Sequence, residues 1–203
     1  GGIGPDAKSA VPAILKAAGI NQEAECIQAF GEIGPGAEPA IPYLLKMLNK
    51  YRNDQRSARK IARSLSQIGE PSIVPLVDLL SSEDRTLASH AETALVEIGP
   101  KAVPTVVEGL SREEHAARAS RSAVLAAIAS NDSGAVANQL DAVVALLDDS
   151  HYKVRLNALT ILGHCESVPI NLRAKVEKAK NDPESKQVRE RAAAVFDKLA
   201  EGE

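Results

Sequence analysis

The sequence predicts an all-α fold, an α-solenoid of about six stacked helical hairpins. Three observations carry that prediction: a two-proline mark that recurs every thirty-odd residues, apolar residues at helical spacing between the marks, and a near absence of aromatic side chains. The tripeptide Ile-Gly-Pro or a near copy stands at Ile3-Gly4-Pro5, Ile33-Gly34-Pro35, Ile68-Gly69-Glu70-Pro71 and Ile98-Gly99-Pro100, with a degraded copy at Ile128-Ala129-Ser130. The steps between anchors are 30, 35, 30 and 30 residues. A second mark follows each intact anchor, at Val11-Pro12, Ile41-Pro42, Val74-Pro75 and Val103-Pro104. A period of this length belongs to stacked repeats, in which each unit buries its apolar faces against its neighbours. Three Tyr, two Phe and no Trp in 203 residues then leave an aliphatic interior of thin layers, since aromatic rings are what fill thick ones.

Each unit reads as two helices. Helix A opens it, as in Ala40–Leu48, Ile73–Leu80 and Val103–Leu110, with apolar residues at i, i+3 and i+4. Its proline falls in the first turn, where the missing N–H costs nothing. A polar turn such as Ser81-Ser82-Glu83-Asp84 follows, and its Ser and Asp are natural N-caps. Helix B comes next, at Gln22–Ile33 in the first unit and Thr86–Ile98 in the third, rich in Ala and closed by the Ile-Gly pair. Glycine suits the left-handed residue after a helix end, and the proline stops continuation. Later units lose the proline marks but keep helix B, at Val154–Gly163 and Val188–Phe196; their A helices are expected near Val136–Leu147 and Pro169–Lys180. The units run approximately 3–33, 34–68, 69–98, 99–130, 131–166 and 167–203, one repeat domain over 1–203.

The recurring pattern Val-Arg-x-x-Ala-Ala-x-Ala-Leu-Gly-x-Ile-Gly-Pro-x-Ala-Val-Pro resembles the HEAT-like repeats of phycobiliprotein lyases, short relatives of HEAT and armadillo repeats. The resemblance covers essentially the whole chain, best at 33–110 and 151–200 and weakest at 111–150. It implies a right-handed α-α superhelix with A helices on the convex side and B helices lining the concave side. It also implies that Arg118, Arg155 and Arg189, at the Val-Arg position, support stacking through acidic residues of adjacent turns. Because the chain starts at an anchor with no preceding helix B, the natural protein is expected to extend further toward its N-terminus. The polar last helix suits a cap.

Function in a repeat protein lies where the repeats differ. The Ala-Leu-Gly register places one stripe of each B helix toward solvent: Glu25, Gln28 and Glu32; Lys60, Arg63 and Gln67; His90, Thr93 and Glu97; Ser120, Ala123 and Ala127; Asn157, Thr160 and His164; and Arg191, Ala194 and Lys198. Within a formal net charge of −3, from 24 Lys and Arg against 27 Asp and Glu, one basic concentration stands out: Arg52, Arg56, Arg59, Lys60 and Arg63. Arg59 and Arg63, four apart, face the same way and suit an acidic peptide or phosphate; Glu25, Glu32 and Glu97 are near enough in register to neutralise them. Partner-binding candidates are therefore Arg56, Arg59, Lys60, Arg63, His90, Thr93, Glu97, Asn157, Thr160 and His164. A merely solvated face is the competing account of each. Glu92 replaces a small Ala, and Arg121 and Ser122 replace the matching pair one unit on, so Glu92 is expected to pair with Arg121 or Arg118. Glu92, Arg118, Arg121, Arg155 and Arg189 are thus read as structural.

No catalytic or metal-ligating constellation is present. The split pair His90-Ala91-Glu92 has no second copy in register, unlike the adjacent His-Glu pairs of the HEAT-like di-iron enzyme deoxyhypusine hydroxylase, and His115, His151 and His164 fall at unrelated positions. Cys26 and Cys165 lie on B helices four units apart, about 35–40 Å at ~8–10 Å per helix layer, beyond the reach of a disulfide; both are expected to be buried thiols. No run reaches the ~18 apolar residues of a membrane span. The leading expectation is a non-catalytic scaffold, without cofactor or metal, that holds a protein or peptide, of acidic character at the basic stretch, on the B-helix face. The alternatives are a lyase-like enzyme or enzyme subunit, and a nucleic-acid binder like the HEAT-like DNA glycosylases. Both are disfavoured by the scarcity of aromatic residues, and the second also by the net charge.

Overall fold

A computed structural model describes residues 5–18, 22–110, 114–165 and 168–201, and every regular element among them is helical. The α-helices are α1 (Val11–Ala18), α2 (Glu23–Ile33), α3 (Ile41–Lys50), α4 (Gln55–Ile68), α5 (Ile73–Leu79), α6 (Arg85–Ile98), α7 (Val103–Glu108), α8 (His115–Asn131), α9 (Leu140–Ala145), α10 (Tyr152–His164), α11 (Ile170–Ala179) and α12 (Lys186–Glu201). Odd-numbered helices are the A helices and even-numbered ones the B helices, so the expected pairing appears hairpin by hairpin. The chain groups into two compact units, Gly1–Ala102 with the first three hairpins and Val103–Glu203 with the other three.

The proline marks work as turn chemistry. Gly34, Gly69 and Gly99 have φ of 69°, 79° and 76° with ψ between −131° and −141°, a region open to a residue without Cβ. The N–H of Gly69 still closes α4 on the Leu65 carbonyl at 3.2 Å, and the chain then enters a short 3-10 turn, Glu70–Ser72, before α5. Pro12, Pro42 and Pro104 are the second residue of their helices and Pro75 the third, where no intrahelical N–H is lost. At the degraded anchor nothing stops the helix, and α8 runs through Ile128 to Asn131. The expected A helix at Val136–Leu147 is split: 3-10 turns at Ala137–Gln139 and Leu146–Asp148 flank a six-residue α9. Apolar spacing alone does not separate the two helix types over so short a span.

In the first unit α4 packs between α2 and α6 while α1, α3 and α5 back the B layer. The approach of α2 to α4 depends on small residues. A Cβ on Gly31 would come within 2.2 Å of Gln67 Oε1 and 3.1 Å of Ser64 Cα. The buried Ser64 hydroxyl donates to the Ile27 carbonyl at 2.7 Å, tying one B helix to the next. In the second unit α10 packs between α8 and α12, and Gly163 admits Val195, whose Cγ2 would lie 3.2 Å from an added Cβ. Ala58, Ala62, Ala88, Ala91, Ala94, Ala158 and Ala192 are all buried, which lets the helices approach closely around a core almost without aromatics.

Polar staples fix the turns. Asp54 and Asp84 cap α4 and α6, each accepting two backbone N–H groups, and Arg52 Nε reaches Asp84 at 2.7 Å. Arg118, at the start of α8, holds Asp149 of the next A–B turn through Nε at 2.6 Å and Nη2 at 3.2 Å. Arg155, at the start of α10, repeats this one hairpin later. It is 7% exposed and donates to both Asp182 oxygens, to Glu184 and to the carbonyls of Asp149 and Ser150. Asp182 also accepts the N–H groups of Glu184 and Ser185. Arg189 departs from the pattern, turning back to the Asp182 carbonyl. Arg121, also buried, closes the carbonyl end of α7 by donating to Thr105 and Val106. Its guanidinium carbon would lie 2.4 Å from a Cβ at Gly109, so a larger residue there would have to displace the Arg121 side chain. Glu92 is half-buried on α6. Cys26 and Cys165 are buried free thiols, and burial raises the pKa of both.

Two expectations follow. Gly31→Val forces α2 off α4 and should cost about 1–3 kcal/mol, seen as a melting temperature several degrees lower; the same change at exposed Gly134, which has only Asp132 Oδ1 at 3.5 Å, is the control. Burial raises the pKa of Asp182 and of Asp149, but their arginine and N–H partners outweigh it and hold both carboxyls below the usual range. A depressed carboxylate contributes stability that is complete above its ordinary pKa near ~3.9 and is lost as pH falls through the lower folded value. Asp182→Asn should therefore melt lower at neutral pH, about 3–5 kcal/mol less stable from the stranded Arg155. Its melting temperature should also fall less steeply with acidification below about pH 4 than the parent's; equal slopes would contradict the staple.

Candidate basic face of helix α4

Helix α4 divides its residues sharply. Ala58, Ile61, Ala62, Leu65 and Ile68 are buried, while Arg56, Arg59, Lys60 and Arg63, at i, i+3, i+4 and i+7, form one exposed stripe. Among the described residues none forms an ion pair within 4.0 Å with any of these four cations. The stripe is flanked by two clefts. On the α2 side a cleft of about 400 Å³ is lined by Gln28, Glu32, Lys60, Arg63, Ser64 and Gln67, among others. On the α6 side a cleft of about 450 Å³ is lined by Gln55, Arg56, Arg59, Lys60, Arg63 and Glu97. Lys60 and Arg63 wall both.

The remaining candidates divide by what holds them. Arg52, grouped with the basic stretch in the sequence, is drawn away by Asp84 and by the Asn49 carbonyl. His90 is half-buried and donates through Nε2 to the Arg52 carbonyl at 2.9 Å, so it ties α6 to the α3–α4 turn. Glu97 is exposed and accepts the Ser66 hydroxyl at 2.6 Å, which fixes its carboxylate at the cleft edge. Thr93 is exposed with its hydroxyl returned to Ser89. In the second unit the stripe does not form as expected. Ser120 is buried, and Asn157, half-buried, reaches from α10 to Ser122 Oγ at 3.0 Å and the Ala119 carbonyl. Thr160 is half-buried and bonded to Leu156. The buried register is kept, since Ala117, Arg121, Val124 and Leu125 are buried as Leu87, Ala91, Ala94 and Leu95 are; the polar stripe is covered because Asn157 of α10 bonds onto α8. His164 is exposed. Lys198 is spent on the carbonyl end of α10, donating to Gly163 at 2.6 Å.

Sequence reasoning passed over Gln55 and Ser66, which have no charge to draw attention. It also passed over a cleft of about 610 Å³ in the second unit, between the A–B turns, lined by Asp148, Arg155, Lys175, Lys178, Asp182 and Glu184, among others. There the charges pair with each other, as in Lys175 with Asp148 at 2.6 Å. Among the described residues no three His, Cys, Asp or Glu side chains are placed to hold a metal ion, and no helix is long and apolar enough to cross a membrane.

No family model and no curated protein matches the chain. Solved structures do. The CpcE and CpcF complex of phycocyanin lyase from Nostoc sp. PCC7120 matches with a TM-score of 0.56 at 17% identity, over 77% of this chain and 98% of that one. An archaeal HEAT-like repeats protein from Thermococcus onnurineus NA1 matches at 0.51 and 20%, over 98% and 90%. A designed armadillo repeat protein in complex with the peptide (KR)4 matches at 0.50 and 16%, over 93% and 99%. Likeness at these identities carries the fold: this chain is an all-α helical-repeat protein of HEAT- and armadillo-like architecture.

Proposed function

We propose that the protein is a non-catalytic scaffold that holds a partner protein or peptide on its B-helix face, with α4 as the binding helix and an acidic segment as the ligand. The observation that carries this is the exposed stripe Arg56, Arg59, Lys60 and Arg63, four cations outside any ion pair among the described residues and set between two clefts. Elsewhere the chain spends its buried arginines on carboxylates and carbonyls. Four adjacent like charges repel one another, at a modest cost for exposed groups, and a polyanionic ligand removes that cost while gaining charge-assisted hydrogen bonds. The designed armadillo protein among the structural neighbours holds the basic peptide (KR)4; a cationic α4 calls for the opposite sign. The lyase neighbour supports no catalytic reading here, because its likeness is one of fold.

The test is a titration of the chain with a labelled peptide of alternating Glu and Ser, read by fluorescence anisotropy. Binding should weaken about tenfold or more in an Arg59→Ala, Lys60→Ala, Arg63→Ala triple variant. It should also fall as salt rises from about 50 to about 300 mM. The melting temperature of the triple variant should stay near the parent's, since all three side chains are exposed. Unchanged affinity in the triple variant would refute the assignment.

A further inference from the structure

We infer, building on that reading, that the α6-side cleft takes its acidic segment as an extended chain laid along the α4 axis. The segment has acidic side chains on alternate residues and a basic residue at the end beside Glu97. Five of the six cleft-lining residues, Gln55, Arg56, Arg59, Lys60 and Arg63, come from the first nine positions of α4, and Glu97 comes from α6. The cations therefore run along one helix, and their spacing sets the ligand's. Arg56 and Lys60, like Arg59 and Arg63, are four residues apart, about 6 Å at ~1.5 Å per residue. An extended chain repeats side chains on one face every ~6.6 Å, so carboxylates on alternate residues meet successive cations. A helical ligand repeats side chains on one face at i, i+3 and i+4, so carboxylates on alternate residues of a helix would not line up along one face. A single phosphate is too short, because Arg56 to Arg63 spans about 10 Å along the axis.

Glu97 gives the cleft its polarity. Its carboxylate is held by Ser66, beyond Arg63 on the C-terminal side of α4, so it stands at the far end of the cationic run. A carboxylate arriving there is repelled and an ammonium or guanidinium attracted. The first two turns of α4 present Arg56, Arg59 and Lys60 with no acidic lining residue beside them. Among the described residues no aromatic side chain lines the cleft, so nothing there is offered for base stacking, and a polypeptide fits better than a single-stranded nucleic acid.

The experiment compares labelled peptides on the full chain. Glu-Ser-Glu-Ser-Lys should bind about fivefold or more tightly than the isomer Glu-Glu-Ser-Ser-Lys, and more tightly than a peptide whose glutamates stand four apart. Replacing the terminal Lys by Ser should weaken binding to the parent protein but not to Glu97→Gln, while both proteins keep the same melting temperature. Equal affinity for the isomers, preference for the four-spaced peptide, or a Lys effect that survives Glu97→Gln would overturn the inference. So would equally strong binding of inorganic phosphate or an oligothymidylate. If isomers bind equally yet all depend on Arg59, Lys60 and Arg63, the patterned cleft falls and the acidic-partner scaffold stands. If no acidic peptide binds, the scaffold reading itself falls.

Discussion

The close stacking of B helices is the constraint on which the rest depends. Between α2 and α4 it is set by Gly31 against Ser64 and Gln67, and locked by the buried Ser64 hydroxyl on the Ile27 carbonyl. A helix packed on two sides by its own kind and backed by an A helix has one stripe left for solvent. Residues of α4 are thus sorted by geometry before any chemistry applies. Apolar and small side chains fill the three packed sides, and whatever stands at Arg56, Arg59, Lys60 and Arg63 must face out.

The protein uses arginine in two opposite ways, and burial separates them. Arg155 is almost fully enclosed and satisfied by two carboxylates and two carbonyls. Arg118 and Arg121 are engaged in the same manner. A buried guanidinium without such partners would cost several kcal/mol, so these contacts are what hold the turns in place. The α4 cations are exposed and form no ion pair among the described residues. That difference separates a fastening from the proposed binding face, and neither net charge nor the count of arginines shows it.

Much of the fold was legible because the turn chemistry is local. Ile-Gly-Pro names a helix end, a positive φ and a restart, and Gly34, Gly69 and Gly99 obey it. Legibility failed where that chemistry is missing. Without a glycine at Ala129, α8 overruns its expected end. Separately, contact between α8 and α10 covers the next polar stripe, so that Ser120 is buried and Asn157 bridges helices. On the candidate face, helical spacing puts Arg59, Lys60 and Arg63 on one side of α4, and all three are exposed. It could not show that Arg52 is claimed by Asp84 some thirty residues on, that His90 is tied to the Arg52 carbonyl, or that Ser66 pins Glu97. Those contacts join separate repeats, and no periodicity within one helix encodes them.

The central claim is that α4 is where a partner is held. Backbone amide NMR of the full chain, titrated with an acidic peptide, tests it most directly. Shifts confined to Gln55–Arg63 and to the residues around Glu97, with the turns held by Arg118 and Arg155 unmoved, are what the account predicts. Shifts centred on the second unit, or none at all at saturating peptide, would contradict it.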